Sequence, residues 1–240
     1  MHHFLMHLFV LSSLISLGIA QQAGSASTQH EGHGAAAASF PSADQVWANL
    51  MAGNKRFVEG KTRAHNVVSL RSKLASGQQP NVIILSCSDS RVAPELVFDQ
   101  SLGDIFVVRT AGNIADPVGL GSLEYAVDHI HSPVLVVLGH QKCGAVTAAC
   151  SGDKMPSKNL EAIVDKIDPA VVKAKSYAKS DDLIDSAIKE NVHQSAKDLL
   201  ANSAILRDAV SAGKLTIIEA EYQLASGEVV RLNMPASGQK

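Results

Sequence analysis

The chain has 240 residues, with 21 lysines and arginines against 23 aspartates and glutamates, a formal net charge of −2. Acid and base nearly cancel and no basic run occurs, which excludes the electrostatic footprint of a nucleic-acid binder. Hydrophobic residues make up 46% and charged residues 18%, ordinary proportions for a globular domain that buries a sizeable core.

Phe4 to Ala20 is apolar with serine punctuation and ends Leu17-Gly18-Ile19-Ala20, small residues standing at the −3 and −1 positions of a cut after Ala20. Residues 1–20 therefore read as a secretory signal peptide, too short to span a bilayer comfortably. The n-region is atypical, carrying His2, His3 and His7 in place of Lys or Arg, and a single membrane anchor is the competing reading. The expected product is exported and periplasmic, free of the membrane once the signal is cut. Residues 21–39 are Ala, Gly, Ser, Gln and His for the most part, cannot bury a core, and read as a flexible linker. Residues 40–240 then suit a single α/β domain.

Asp44 is placed to cap a helix with apolar positions Val46, Trp47, Leu50, Met51 and Phe57, and a basic helix is expected over Val67 to Ala75, ending at Gly77. Val82 to Leu85, Ile105 to Val108 and Val134 to Leu138 are short aliphatic runs without polar alternation. Strands buried on both faces have this pattern, as in a mainly parallel sheet flanked by helices. Helices are expected over Gly119 to Ile130, from Cys143 through Ala149, over Leu160 to Ala178, and over Asp181 to Ala212. Leu215 to Ala220 reads as a fourth strand and Glu228 to Leu232 as an edge strand. Such strand–helix alternation puts a site at the carboxyl ends of the strands.

Two motifs fall at such ends: Ser86-Cys87-Ser88-Asp89-Ser90-Arg91-Val92, and Leu138-Gly139-His140-Gln141-Lys142-Cys143-Gly144-Ala145. Three cysteines, Cys87, Cys143 and Cys150, cannot all pair within one chain. Cys87, His140 and Cys143 offer two thiolates and an imidazole, and three protein ligands with an open fourth position are the pattern of catalytic zinc. A structural zinc would need a fourth ligand, and Cys150 lies about two helical turns beyond Cys143. A redox Cys-x-x-Cys is absent because His140 stands where one cysteine would be, and a P-loop lacks its lysine and hydroxyl. Buried free cysteines remain the bland alternative. Asp89 and Arg91 alternate with Cys87 and, in extended chain, share its side. An arginine would hold the carboxylate ionised beside a metal, and the carboxylate would accept a hydrogen bond from a metal-held hydroxide. An ordinary structural ion pair is the competing reading.

Taken together, Cys87-Ser88-Asp89-Ser90-Arg91 and His140-x-x-Cys143-Gly144 resemble the β-class carbonic anhydrases. Phe106 to Asn113 and Gly121 to Ala126 resemble further family segments, and the similarity runs from about Asp44 to Leu232. The resemblance implies one Zn²⁺ per subunit on Cys87, His140 and Cys143, with Asp89 and Arg91 as the catalytic pair. It implies reversible hydration of CO₂ to bicarbonate and a proton by zinc-bound hydroxide. In some members the matching Asp instead binds zinc at lower pH and shuts the enzyme off. Gln78, Phe106, Tyr125 and Gly144 match substrate-pocket positions. Ile84 stands where members with a non-catalytic bicarbonate site carry Trp, while Arg109 and Tyr222 match that site's other residues. A homodimer or dimer of dimers is implied, with the helices of Asp44 to Ala75 embracing the partner subunit. No nucleic-acid or membrane partner is expected. Hydrolysis of a CO₂ analogue, carbonyl sulfide or carbon disulfide, is the alternative enzyme reading, and a zinc-stabilised scaffold the non-enzymatic one.

Overall fold

A computed structural model describes residues 40–233. The signal-peptide and linker assignments lie outside the described residues. Among the described residues, no helix is long and apolar enough to cross a membrane.

The sheet is built from β1 (Val82–Cys87), β2 (Ile105–Thr110), β3 (Val134–His140), β4 (Thr216–Tyr222) and β5 (Val229–Arg231). Its order is β2-β1-β3-β4-β5, parallel throughout except for β5, which runs antiparallel to β4. Every residue of β1 and β3 is buried, as expected of aliphatic runs without alternation. On one face Ile84, Val136, Leu138 and Ile218 pack with Val46, Leu50 and Phe98. On the other, Ile83, Leu85, Leu135 and Val137 meet Leu123, Val192, Leu199 and Leu206. The chain forms β2 on one side of β1 and then crosses to lay β3 on the other. In this strand order a crevice opens at the carboxyl ends between β1 and β3, where ligands bind in open α/β sheets.

The helices are α1 (Ala43–Val58), α2 (Val67–Lys73), α3 (Pro94–Val97), α4 (Pro117–Asp128), α5 (Gly144–Ser151), α6 (Lys158–Lys175), α7 (Leu183–Asn202) and α8 (Ala204–Ser211). α1 is capped by Ser42, not Asp44. The Ser42 hydroxyl accepts from the Gln45 amide while the Gln45 side chain accepts from the Ser42 amide, a reciprocal capping box. Asp44 sits instead in the first turn, where its charge complements the helix N-terminus. The single helix expected over Asp181 to Ala212 is two. Ser203 is extended (φ −125°, ψ 117°), its hydroxyl accepts from the Leu206 amide at 3.1 Å and donates to Glu124 Oε1 at 2.6 Å, and α8 starts afresh from that cap. The short α3, opened by Pro94, has no counterpart in the periodicity because four residues are too few to show one.

α1 buries Val46 and Leu50 against its own sheet, whereas α2 buries nothing and leaves Val67 and Val68 exposed. α1 is further fixed by Asn54, a buried side chain with three long-range bonds. Its Nδ2 donates to the carbonyls of Val97 at 3.0 Å and Gly227 at 2.8 Å, and its Oδ1 accepts from the Val229 amide at 2.9 Å.

Candidate metal centre

Cys87 is the last residue of β1 and His140 the last of β3, so adjacent parallel strands deliver both to one crevice. Cys143 returns to the same place through a two-residue turn in which Lys142 adopts φ +53°, and it stands at the N-terminus of α5. The two sulfurs and a ring nitrogen lie within 4.8 Å of one another, and all three side chains are buried. Gly139 lets the structure close over this point: a Cβ there would stand 2.4 Å from Val192 of α7.

The His140 ring has a fixed tautomer. Its Nδ1 lies 2.8 Å from the Gln141 carbonyl, which can only accept, so Nδ1 carries the hydrogen. Nε2 is then a buried lone pair with no hydrogen-bond partner, facing the two sulfurs. Such an atom is costly unless a cation meets it. The thiols point the same way. The hydrogen bond from Cys143 outweighs burial and, with the backbone amides of Gly112 and Asp89, pushes Cys87 down toward the thiolate form. Cys143, bonded to that thiolate and buried, is pushed up. Two sulfurs sharing one proton are in the state that a metal cation relieves by taking both as ligands. Cys150 is not in the group; burial pushes its thiol up.

Asp89 and Arg91 pair, though not by extended alternation. β1 ends at Cys87 and the chain turns through Ser90 and Arg91. Within that turn Asp89 Oδ1 accepts from the Arg91 amide and from Arg91 Nε, both at 2.9 Å, while Oδ2 accepts from Nη2 at 2.7 Å. The guanidinium bonds hold the Asp89 carboxyl well below the usual carboxylate range. Its Oδ2 lies 3.9 Å from His140 Nε2, at the rim of the sulfur–nitrogen cluster.

Arg109 was matched in sequence to a bicarbonate-site residue. In the fold it braces this turn, donating from Nε to the Cys87 carbonyl at 3.0 Å and from Nη2 to the Asp89 carbonyl at 2.7 Å. Tyr222 is buried beside His140 in the sheet register. Gly144 opens α5 next to Cys143 and is exposed, with nothing within 4 Å of where a Cβ would stand. Gln78, Phe106 and Tyr125 are not brought to the cluster in the same chain. Phe106 is opposite Ile83, four residues before Cys87, which at about 3.3 Å per residue is about 13 Å up the strand. Tyr125 packs on it with ring centroids 6.4 Å apart and is 48% exposed. Gln78 is exposed on the turn that enters β1 from the opposite end. The Gly112 amide, donating to Cys87 Sγ at 3.3 Å, is a part of the site that the residue types gave no means of finding.

Residues 82–229 match the family model described as carbonic anhydrase. The chain belongs to the β-carbonic anhydrase family. It is 40% identical over 189 residues to carbonic anhydrase 2 of Mycobacterium tuberculosis, covering 77% of this chain and 90% of that protein. It is 37% identical over 188 residues to a carbonic anhydrase of Mycolicibacterium smegmatis, with the same coverage of 77% and 90%. Among solved structures, the Coccomyxa β-carbonic anhydrase in complex with acetazolamide superposes with a TM-score of 0.63 at 28% identity, over 82% of this chain and 86% of that one. The activity of β-carbonic anhydrases is the hydration of CO₂ and their metal is zinc, to which the Cys–His–Cys donor set is suited.

Proposed function

We propose that Cys87, His140 and Cys143 hold the zinc and that Asp89 orients the nucleophile in reversible hydration of CO₂ to bicarbonate and a proton. The buried, partnerless Nε2 of His140 between two sulfurs, with the Asp89 carboxylate 3.9 Å away, carries this reading. Zinc bound by these three residues would lower the pKa of a bound water to about 7 and so supply a nucleophile at neutral pH. Asp89, kept ionised by Arg91, would accept a hydrogen bond from the nucleophile and thereby fix where its lone pair points. Arg91 spends its guanidinium on both carboxylate oxygens, so the carboxylate cannot rotate freely. Arg109 holds the backbone on either side of Ser88, which keeps the carboxylate and the Cys87 sulfur in register. The test is metal content and activity of the purified protein: about one zinc per chain and CO₂ hydration that a chelator abolishes. A folded, active sample with less than half an equivalent of zinc would refute the assignment, and carbonyl sulfide hydrolysis without CO₂ hydration would move it to the analogue.

What one chain leaves incomplete supports a homodimer or a dimer of dimers. β2 is an outer strand of the sheet, and around it Leu102, Val118 and Tyr125 are exposed, Val118 to 80%. An open edge with an apolar border invites pairing with another chain. A second copy docked there would cover α2 and bring its Gln78, Phe106 and Tyr125 toward this copy's metal, giving a homodimer or a dimer of dimers. The apolar run ending at Ala20 supports export with cleavage and a periplasmic location. Native mass spectrometry of protein made in an exporting bacterial host checks both: an even number of subunits, each beginning near Gln21, is the expected mass. A monomer retaining Met1 would overturn both.

A further inference from the structure

α7 lies on the sheet with a buried apolar stripe that includes Ile188, Val192, Ala196 and Leu199. Asn191 interrupts this stripe. It is 1% exposed, and its Oδ1 is buried without a hydrogen-bond partner. A half-satisfied buried amide is unfavourable, so the reason for an asparagine lies at its other end. There Nδ2 donates to the Gly112 carbonyl at 2.7 Å, across 79 residues of sequence. Gly112 in turn aims its own N–H at Cys87 Sγ, 3.3 Å away.

Gly112 would not hold that aim by itself. It sits at φ +73°, ψ 20°, and Asn113 follows at φ +48°. Consecutive left-handed residues persist only where their surroundings over-determine them, and glycine reaches other regions without steric cost. The neighbouring contacts supply the constraint. Ile167 packs so closely that a Cβ on Gly112 would stand 2.7 Å from its Cδ1, and Asn113 Nδ2 reaches Ser195 Oγ at 3.5 Å. Asn191 bonds the backbone of Gly112 itself. An N–H fixed on a metal-ligating sulfur orients that ligand, as outer partners of metal ligands do.

We infer that Asn191 is a positioning residue of the metal centre, aiming the Gly112 N–H at Cys87 Sγ through its grip on the Gly112 carbonyl and so strengthening zinc binding. The inference rests on the assignment of zinc to Cys87, His140 and Cys143. Asn191→Leu keeps the approximate volume and the helix but cannot donate. In competition with a chromophoric chelator, N191L is expected to bind zinc about 10- to 100-fold more weakly than the unaltered protein, the scale for loss of an outer partner of a metal ligand. In the cobalt-loaded protein the thiolate-to-metal charge-transfer band is expected to shift, which a merely structural role would not move. Zinc affinity equal to that of the unaltered protein overturns the inference alone; an unaltered protein that takes up no zinc overturns the metal centre with it. Should N191L not fold, the unaltered protein loaded with NMR-active cadmium decides. A scalar coupling between cadmium and the Gly112 amide proton, with a slowly exchanging Asn191 side-chain amide, supports the inference, and the lack of either overturns it.

Discussion

Replacing Asp89 with alanine is expected to leave zinc bound while CO₂ hydration falls by roughly 10²-fold or more, the penalty for a reacting group no longer held in line. The metal ligands are untouched by this change, because the carboxylate reaches His140 Nε2 no closer than 3.9 Å. Asp89→Asn sharpens the test by keeping the shape and removing the charge; it should be nearly as slow. Arg91→Ala should cost less than either, since Arg91 is an exposed side chain whose part is to hold Asp89. Stopped-flow hydration assays on zinc-loaded variants measure all three. Turnover unchanged in zinc-loaded D89A would remove Asp89 from the mechanism.

The largest expected loss of stability is at Asn54, far from the chemistry. Asn54→Leu would strip partners from the Val97 and Gly227 carbonyls and the Val229 amide. A buried backbone group left unpaired costs about 1–3 kcal/mol, so three of them amount to several kcal/mol of the about 5–15 kcal/mol that holds a domain together. Denaturant unfolding of the metal-loaded variant should show a clearly lowered midpoint. A midpoint matching the unaltered protein would mean that water or a backbone shift satisfies all three groups.

The central strands were legible because their signal is local: β1 and β3 are aliphatic runs and are buried throughout. The ligand set was legible because both motifs end such strands. The Asp89–Arg91 pairing was anticipated by a mistaken route. Extended alternation was assumed, whereas the chain turns after Asp89 and the Arg91 amide itself bonds the carboxylate. The break at Ser203 was hidden because serine also occurs inside helices, and only its extended backbone, with the hydroxyl accepting from the Leu206 amide, marks it as a cap. Gln78, Phe106 and Tyr125 matched pocket positions in sequence, yet strand register sets Phe106 well back from Cys87. Asn191 could not be read at all, since its meaning depends on a loop that the fold alone brings beneath α7.

The bonds of Asn54 also order events in time. A chain is synthesised from its N-terminus, and α1 is among the first elements of the domain to appear. Two of the three groups that Asn54 needs belong to Gly227 and Val229, 173 and 175 residues later. Contacts so distant in sequence close slowly and close last. β1 and α3 can cover Val46 and Leu50 early, but the bonds of Asn54 to Gly227 and Val229 wait until β5 has been made. The anchor of the first helix is therefore closed by the last strand of the sheet.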